Sequence, residues 1–599
     1  MPESCPDTDS LPSRIAALVH THFDGLPKRS KPVLRDGTTA EWIPMTGIVL
    51  VKGANTPAEQ LTCVTVTTGA KCLPASQIPQ CNGLVLHDCH AETLAMRAFN
   101  YWLLSECRAV LNSEQQQSVI ENGEGELNPP APSPYIRRRQ RQSQEITRPE
   151  SDALFPPFEI CPDVDIYMYC TCAPCGDASM ELVMAAQDDP TPWALPNKTS
   201  TSDTDPEPPR TEGTPLLSGR GHFSQLGIVR RKPARADAES TKSKSCSDKI
   251  ALRQVTSLLS YESSLLVAVT ANAYVKGLIM PEEEISKSGC ERCFGGGQIG
   301  RMRGLNGRVW PVDVDVDAGT SISSNEQVRR SKDSENDTQG CHRYSYAFRP
   351  FEILSIPNTQ LKSLWAFRKP RATDPICEES KDTSRSQVKK TKPGTISAVW
   401  VRAPTPTRPP NPATDSQDSG LNSAMPVTDN GTKILPVLRG SRTGLFESII
   451  NGVRQGHKAS GPGPGIRGAS ALCRARMWEH WRGTASSTFQ CTGDSETDAV
   501  NKSEDGVVEE TLLSFKSKEI STAFQASTYR EFKKPKPGGQ SGVVLARRQA
   551  MNAAKDVLDG WVPNDGDEGW GWRWNLGELF DARGDPVVMD PKGSKKRKR

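Results

Sequence analysis

Five polar tracts interrupt this chain and limit how much of it can enter a folded core. They are rich in Ser, Thr, Pro, Asp and Glu, which bury too little apolar surface to offset the entropy of ordering. The tracts span residues 112–157, 195–218, 320–340, 371–430 and 485–510. Only 35% of the 599 residues are hydrophobic, and removing the tracts leaves roughly 420 residues, which suits one large domain or two fused ones. We therefore predict ordered segments separated by disordered insertions.

The segments between the tracts are predicted to form one domain over residues 1–585. Its ordered parts are expected at about 15–111, 158–194, 219–317, 341–370, 396–403, 433–484 and 513–585. Residues 586–599 form a basic tail that ends in five consecutive Lys or Arg. Such a tail resembles a nuclear localisation signal, so the nucleus is favoured, with the cytosol as the alternative.

The charge is nearly balanced, at a formal +3, so the chain is not a general polyanion binder and any nucleic-acid contact must be local. Basic clusters occur at 135–141, 229–237, 532–537 and in the tail, and the first is expected to be a solvated or disordered face. We find no signal-peptide pattern and no apolar run long enough to span a bilayer. The seventeen cysteines are therefore interpreted as intracellular thiols, which serve as metal ligands, catalytic groups or core residues.

Local patterns place the first chemical motif at the start of a helix. Residues 45–53 and 61–69 are short and β-branched, which predicts a hairpin. From Cys89 to about Leu111 the apolar residues follow helical spacing, which puts His90 and Glu92 in the first turn. Alone, a His-x-Glu pair at such a place could simply cap the helix.

Two cysteines occur at similar positions further along the chain. An apolar strand begins near Val164, reaches Pro174 and turns into a helix near Cys175, while Cys246 precedes another helical pattern. A thiolate gains stability from the free N–H groups at a helix start. One histidine and two thiolates would complete a catalytic metal site, which keeps its fourth position for water.

The third protein ligand of such a metal site has two candidates. Cys172 forms a C-x-x-C pair with Cys175 but lies before Pro174, at the end of the strand, whereas Cys246 is remote in sequence. A C-E-R-C run at 290–293 also has the C-x-x-C spacing of a metal-binding motif. Because no His or catalytic acid accompanies it, we predict a glycine-rich turn with incidental thiols beside the glycines of 294–300.

Three segments together resemble a known family. HDCHAE (87–92), APCGDAS (173–179) and SCSDKIA (245–251) are similar to adenosine deaminases acting on RNA and to the related tRNA-specific deaminases of eukaryotes. Residues 219–260 resemble the fungal form of the tRNA-specific branch. The resemblance implies an α/β fold with a cytidine-deaminase-like central sheet flanked by helices, elaborated by a C-terminal helical half. It also implies that His90, Cys175 and Cys246 hold zinc while Glu92 transfers protons in the hydrolysis of adenosine to inosine.

The same resemblance implies a buried inositol hexakisphosphate held by basic and aromatic residues. The positions that match the family are Arg97, Lys249, Arg474, Tyr529, Lys533 and Trp561. Asp88 and Lys249 are expected to relay hydrogen bonds between this ligand and the zinc shell. Leu252 and Met96 stand where the family often has Arg, and no Lys follows Trp561, so fewer donors are expected.

The expected substrate is a tRNA anticodon loop, since an unpaired adenine is extruded at low cost. Only about two dozen residues precede the matching segment at 26–32, too few for a duplex-RNA-binding domain. By resemblance the target is adenosine 37, next to the anticodon of alanine tRNA. Predicted contacts are Gly69, Lys71, Arg230, Arg231, Lys232 and Arg235.

Two other functions remain open on sequence grounds. A non-enzymatic RNA-binding or scaffold protein with a structural zinc site would not need Glu92. A deaminase of free nucleosides is disfavoured by the basic strips and by the size of the chain. No membrane attachment and no obligate protein partner are predicted.

Overall fold

The protein forms a mixed α/β fold around one central sheet. The structure, a computed structural model, describes residues 9–32, 34–35, 38–39, 41–121, 132–139, 155–186, 217–218, 225–232, 239–312, 344–369, 392–405, 443–459, 465–490, 518–535, 542–573 and 578–587. Helices cover both faces of the sheet. None of the helices in these ranges is long and apolar enough to cross a membrane.

The central sheet has eight strands, which are β1 Met45–Lys52, β2 Gln60–Thr68, β3 Val164–Cys170, β4 Val275–Pro281, β5 Glu352–Ile356, β6 Ser397–Arg402, β7 Gly444–Ile450 and β8 Val453–Arg454. Their spatial order is β5-β4-β3-β1-β2-β6-β7-β8. Strand β4 runs parallel to β3 and β5, and the other neighbours are antiparallel. The antiparallel pair β1 and β2 confirms the predicted hairpin.

Two helical layers pack on this sheet. Helices α1 and α7 cover one face, and α2 lies across the other with α4 and α8 packed against it. The helices are α1 Leu11–Asp24, α2 Ala91–Glu121, α3 Met180–Ala185, α4 Cys246–Thr256, α5 Tyr261–Ser264, α6 Lys287–Phe294, α7 Asn358–Leu364, α8 Arg474–Gln490, α9 Lys518–Gln525, α10 Tyr529–Lys533 and α11 Gly542–Val557.

Alternation along β1 explains the layering. Ile48 and Leu50 enter the core beneath α2, while Val49 and Val51 enter the core beneath α1. Successive side chains of a strand point to opposite faces, so a continuous apolar run predicts a sheet buried on both sides.

Short two-stranded sheets lie outside the central sheet. One of them joins Ala70–Cys72 to Asp88–His90 and leads directly into α2. The others pair Leu34–Arg35 with Thr38–Thr39, Glu41–Trp42 with Lys392–Pro393, Ile136–Arg138 with Phe158–Ile160, Leu217–Ser218 with Arg230–Arg231, Val309–Pro311 with Ser345–Ala347, and Gly571–Arg573 with Glu578–Phe580.

Residues 135–139 of the first basic cluster are ordered, contrary to the expectation of a solvated or disordered face. Arg137 pairs with Glu159 at 2.8 Å, Arg138 pairs with Glu114 at 2.6 Å, and Arg139 is buried. These carboxylates lie more than twenty residues away in sequence, so a local charge run did not reveal them. The tract predicted at 112–157 thus contains the end of α2 and a strand, and most of the other tracts lie outside the described residues.

Candidate active site

His90 and Glu92 lie where a short strand becomes a helix. His90 ends the strand Asp88–His90, and its backbone N–H donates to the Asp88 carboxylate at 2.9 Å. Glu92 is in the first turn of α2, as the periodicity predicts, whereas His90, predicted in the same turn, precedes the helix because its backbone pairs with Ala70 in a short strand. The backbone carbonyl of Gly69 accepts the N–H of Ala91 at 3.0 Å, which anchors the start of the helix to the end of β2.

Cys175 and Cys246 come from two segments that touch each other. Cys175 follows β3, and a short 3₁₀ helix, Asp177–Ser179, starts two residues later. Cys246 is the first residue of α4, whose N-cap Ser245 accepts the N–H of Asp248. Ser247 donates its backbone N–H to the carbonyl of Cys175 at 3.0 Å, so the two cysteine segments share backbone contacts.

These elements bring one imidazole and two thiols together. The ligand atoms of His90, Cys175 and Cys246 all lie within 4.8 Å of one another, and the Cys175 sulfur is 3.8 Å from His90 Nδ1. Imidazole and thiolate are the ligands that zinc prefers. Cys172 belongs to no metal-capable group within the described ranges, and burial raises the pKa of its thiol well above the usual value. Of the two candidate third ligands, the structure therefore places Cys246 at the site.

Glu92 is buried beside this group. Its side chain is 3% exposed, and its Oε2 atom has no hydrogen-bond partner in the described part of the chain. Burial raises the pKa of the Glu92 carboxyl, and the nearby Cys175 thiolate acts in the same direction. A carboxylate whose pKa is raised accepts a proton more readily than an exposed one, which suits a group that transfers protons.

A second layer of charges surrounds the site. Burial opposes ionisation of Asp88, but the ammonium groups of Lys232 and Lys249 hold the pKa of its carboxyl well below the usual range. Lys232 Nζ lies 3.0 Å from the Asp88 carboxylate and 3.3 Å from the Cys246 sulfur, and Lys249 also contacts Asp88. The carboxylate therefore links two lysines to the metal-ligand candidates His90 and Cys246.

This arrangement corrects part of the predicted RNA surface. Lys232 is buried with its charge directed at Asp88, and Arg230 is only 1% exposed, with its guanidinium contacting the carbonyl of Gln225. Neither is available to RNA, because pairing with interior acceptors removed them from the surface. Lys71 is exposed on the strand next to His90, Arg231 is partly buried, and Arg235 lies outside the described residues.

Two other groups of ligand-type side chains occur in the described chain, and hydrogen bonds account for both. Cys72, Asp88 and His90 form one group, but Asp88 is committed to the two lysines. Cys81, His87 and Asp567 form the other. Asp567 accepts hydrogen bonds from the N–H of Gly83 at 2.8 Å and from His87 at 3.0 Å, and its carboxylate also contacts Arg474 at 3.3 Å.

The residues predicted to hold inositol hexakisphosphate are divided between two places. One is near Glu262, which Lys533 contacts, and the other is near Asp88, which Lys249 contacts. Lys533 lies 3.2 Å from Glu262 and over the Tyr529 ring at 5.7 Å, and Arg474 lies over the same ring at 5.9 Å. Burial lowers the pKa of Lys533 to about 8, and Glu262 opposes this shift. The charge of Arg97 helps to lower the pKa of the Glu262 carboxyl. The Arg97 guanidinium donates to the carbonyl of Leu472.

Sequence reasoning missed three cations in this neighbourhood. Burial lowers the pKa of Arg253 to about 9, and the adjacent Arg547 has the same effect. Lys244 lies 5.1 Å above the ring of Trp561, and burial lowers the pKa of its ammonium to about 7. The spacing of these residues carried no signal, because each approaches the cluster from a different element.

Comparison with known proteins agrees with this geometry. Residues 65–128 and 135–305, which include His90, Glu92, Cys175 and Cys246, match the adenosine-deaminase (editase) domain family.

Three related proteins are named as adenosine deaminases or as an RNA editase. The tRNA-specific adenosine deaminase 1 of Schizosaccharomyces pombe is 34% identical over 285 residues, which is 47% of this chain and 60% of that protein. The Saccharomyces cerevisiae protein of the same name is 28% identical over 295 residues, 48% of this chain and 63% of that protein. The double-stranded RNA-specific editase B2 of Mus musculus is 28% identical over 134 residues, 22% of this chain and 14% of that protein. The chain thus spans about three fifths of the two yeast relatives, and its residues 65–128 and 135–305 are similar to the adenosine-deaminase (editase) domain family.

Proposed function

We propose that this protein is a zinc-dependent adenosine deaminase that converts adenosine to inosine in tRNA. The observation that carries the proposal is the convergence of His90, Cys175 and Cys246 beside the buried carboxyl of Glu92. A purely structural zinc site does not need a buried acid with an unpaired oxygen. The yeast relatives named as tRNA-specific adenosine deaminases support tRNA as the substrate class.

His90, Cys175 and Cys246 would hold the ion. Zinc would supply a water whose pKa is lowered towards about 7. Glu92 would take one proton from this water and deliver it to N1 of adenine while the oxygen bonds to C6. It would then move the second proton from the new C6 hydroxyl to the amine, so that ammonia leaves and inosine remains.

The proposal also covers the fold of the catalytic core, the position of the target adenosine and the residues that contact the RNA. The sheet and its flanking helices are proposed to be a cytidine-deaminase-like core within one domain over residues 1–585. Adenosine 37 of alanine tRNA is the proposed target, approached through the anticodon loop and contacted by Lys71 and Arg231. Flanking bases that splay from a loop are recognised more cheaply than paired ones.

Inositol hexakisphosphate is proposed as the occupant of the cationic interior. Support comes from five cations that outnumber the two carboxylates beside them, Glu262 and Asp567; the cations are Arg97, Arg253, Arg474, Lys533 and Arg547. Partly buried cations in excess of their counter-charges are costly unless an anion joins them.

A nuclear site of action is proposed from the basic tail at 586–599. The test is to compare the distribution of the full chain in cells with that of a variant whose five terminal Lys and Arg are replaced by Gln. Equal nuclear accumulation of the two proteins would refute the assignment.

The central experiment assays purified full-length protein for inosine in total tRNA while zinc is quantified. An alanine tRNA transcript with guanosine in place of adenosine 37 is the matched control. We expect about one zinc per chain and inosine in the adenosine-containing transcript alone. Zinc without any inosine would favour a structural site, and inosine in the control would move the target position.

A further inference from the structure

The segment Cys290–Arg301 has no role in the proposed function, although its C-E-R-C run is metal-like. Cys290 and Cys293 are buried, and they belong to no metal-capable group among the residues that the structure describes. The segment instead directs two arginines, Arg292 and Arg301, towards the cysteines of the active site.

Each metal-ligand cysteine is followed, two residues later, by an aspartate with no exposed surface. Asp177 follows Cys175, and Asp248 follows Cys246. Arg292 Nε donates to Asp177 Oδ2 at 2.8 Å. Arg301 Nη1 donates to Asp248 Oδ1 at 2.7 Å. One short segment therefore contacts both cysteine segments through charged hydrogen bonds.

The glycine run between the two arginines sets their spacing. The N–H of Arg301 donates to the carbonyl of Arg292 at 3.0 Å, which closes the loop. A side chain at Gly300 would place its Cβ 2.1 Å from the carbonyl oxygen of Gly295, so only glycine permits this approach. Folding of the loop thus brings the two guanidinium groups to one side of the cysteine segments.

Additional hydrogen bonds restrict each guanidinium group. Arg292 Nη2 donates to the backbone carbonyl of Asp177 at 3.1 Å. Arg301 donates through Nη2 to the sulfur of Cys293 at 3.0 Å and through Nε to the carbonyl of the same residue at 3.1 Å. Because a guanidinium is planar, several simultaneous bonds fix its orientation as well as its position.

We propose that Arg292 and Arg301 are positioning residues that hold the Cys175 and Cys246 segments at the separation a metal ion requires. The inference rests on the proposed function, since it assumes that these cysteines bind the ion. Groups that orient metal ligands typically change metal affinity or activity by about 10–100-fold when they are removed. The C-E-R-C run then supports the metal site from outside and does not form a second one.

The test measures zinc affinity in full-length Arg292→Gln and Arg301→Gln proteins by competition with a chelator. Each variant is expected to bind zinc about 10–100-fold more weakly. Its kcat on tRNA should fall while KM is retained, because the side chains of Arg292 and Arg301 are only 14% and 5% exposed. Arg301→Lys should give an intermediate loss, since one ammonium cannot reproduce the paired bonds to Asp248 and Cys293.

The matched control is Arg137→Gln, which breaks an ion pair of 2.8 Å with the fully buried Glu159 on a strand that contributes nothing to the site. It should lower the thermal midpoint without changing zinc affinity. In the two positioning variants, added zinc should raise the midpoint less than it does in the wild type. If Arg301→Gln does not fold, Arg301→Lys carries the same comparison.

Wild-type zinc affinity in the folded positioning variants would overturn the inference. Equal loss of zinc affinity in Arg137→Gln would do the same, because it would mark a general effect on stability. Absence of zinc or of inosine formation in the wild type would instead refute the proposed function.

Discussion

The burial of Glu92 costs stability, because a carboxylate oxygen without a hydrogen-bond partner loses its hydration. Such a cost is expected at catalytic positions, where groups are arranged for the reaction and not for the resting fold. The raised pKa of this carboxyl fits the same purpose, since a more basic carboxylate is a better proton acceptor.

Glu92→Gln is therefore expected to retain the fold and zinc but to lose deamination. Loss of general acid–base transfer alone lowers the rate about 10²–10⁴-fold, and the neutral amide removes the desolvation cost of the buried carboxylate. Single-turnover inosine formation and zinc content measure the two effects separately. Near-wild-type activity would exclude Glu92 as the proton carrier.

A pair of cysteine variants tests the ligand set. Cys246→Ser should lose most of its bound zinc, because the hydroxyl is a much poorer ligand than a thiolate. Cys172→Ser should retain zinc, since Cys172 lies outside the ligand group. Metal content of the two purified proteins decides the matter, and loss of zinc from Cys172→Ser alone would reverse the assignment.

Sequence reasoning worked best where the signal is local. The starts of α2 at Ala91 and of α4 at Cys246 follow from helical periodicity within a few residues, and both are observed. The burial of Lys232 and the partners of Arg137 were not foreseen, because both depend on carboxylates far away in sequence. Charge runs show which side chains are ionised but not which remote groups neutralise them.

At the scale of elements, the junction between β3 and α3 depends on Gly176. This residue has φ of +111°, and a Cβ atom there would lie 2.2 Å from the Ser245 hydroxyl oxygen. The backbone of the Cys175 segment can therefore approach the start of α4 only if no side chain intervenes.

Gly176→Ala is expected to destabilise the protein by about 1–3 kcal/mol through backbone strain and to weaken zinc binding by separating the cysteine segments. Gly307→Ala is the matched control, because Gly307 also has a positive φ, of +71°, but has no atom within 4 Å of the new Cβ. Denaturant unfolding and zinc competition should show that the control loses stability alone. Unchanged zinc affinity in Gly176→Ala would show that the two segments do not depend on this contact.

At the scale of the whole molecule, the cationic interior connects distant parts of the chain. Arg97 comes from α2, Arg474 from α8 and Lys533 from α10. The charge of each of them acts to lower the pKa of Glu262 or of Tyr529. A ligand that binds only the folded state stabilises it by a free energy that rises with the logarithm of the ratio of its concentration to its Kd. Inositol hexakisphosphate should accordingly behave as a folding cofactor and not as an exchangeable regulator.

Expression in cells unable to make inositol hexakisphosphate should yield little soluble or active protein. Normal preparations should release the ligand on acid treatment, at about one per chain. Protein from both sources is compared by soluble yield, inosine formation and chromatography of the acid extract. Soluble, active enzyme from the deficient cells, with no phosphorylated inositol in the normal sample, would show that these cations need no buried anion.

The hydrogen bonds from Gly83 and His87 to Asp567 span 484 and 480 positions of the chain. A ribosome that adds about 5–20 residues per second needs on the order of half a minute to a minute and a half to cover that distance. During this time the segment leading to His90 has been synthesised but lacks its C-terminal partner. The apolar face of α2 is then without its packing partner in α8, and exposed apolar surface of this kind attracts chaperones and promotes aggregation. Translation speed and chaperone supply are therefore expected to influence how much folded protein a cell obtains from each messenger.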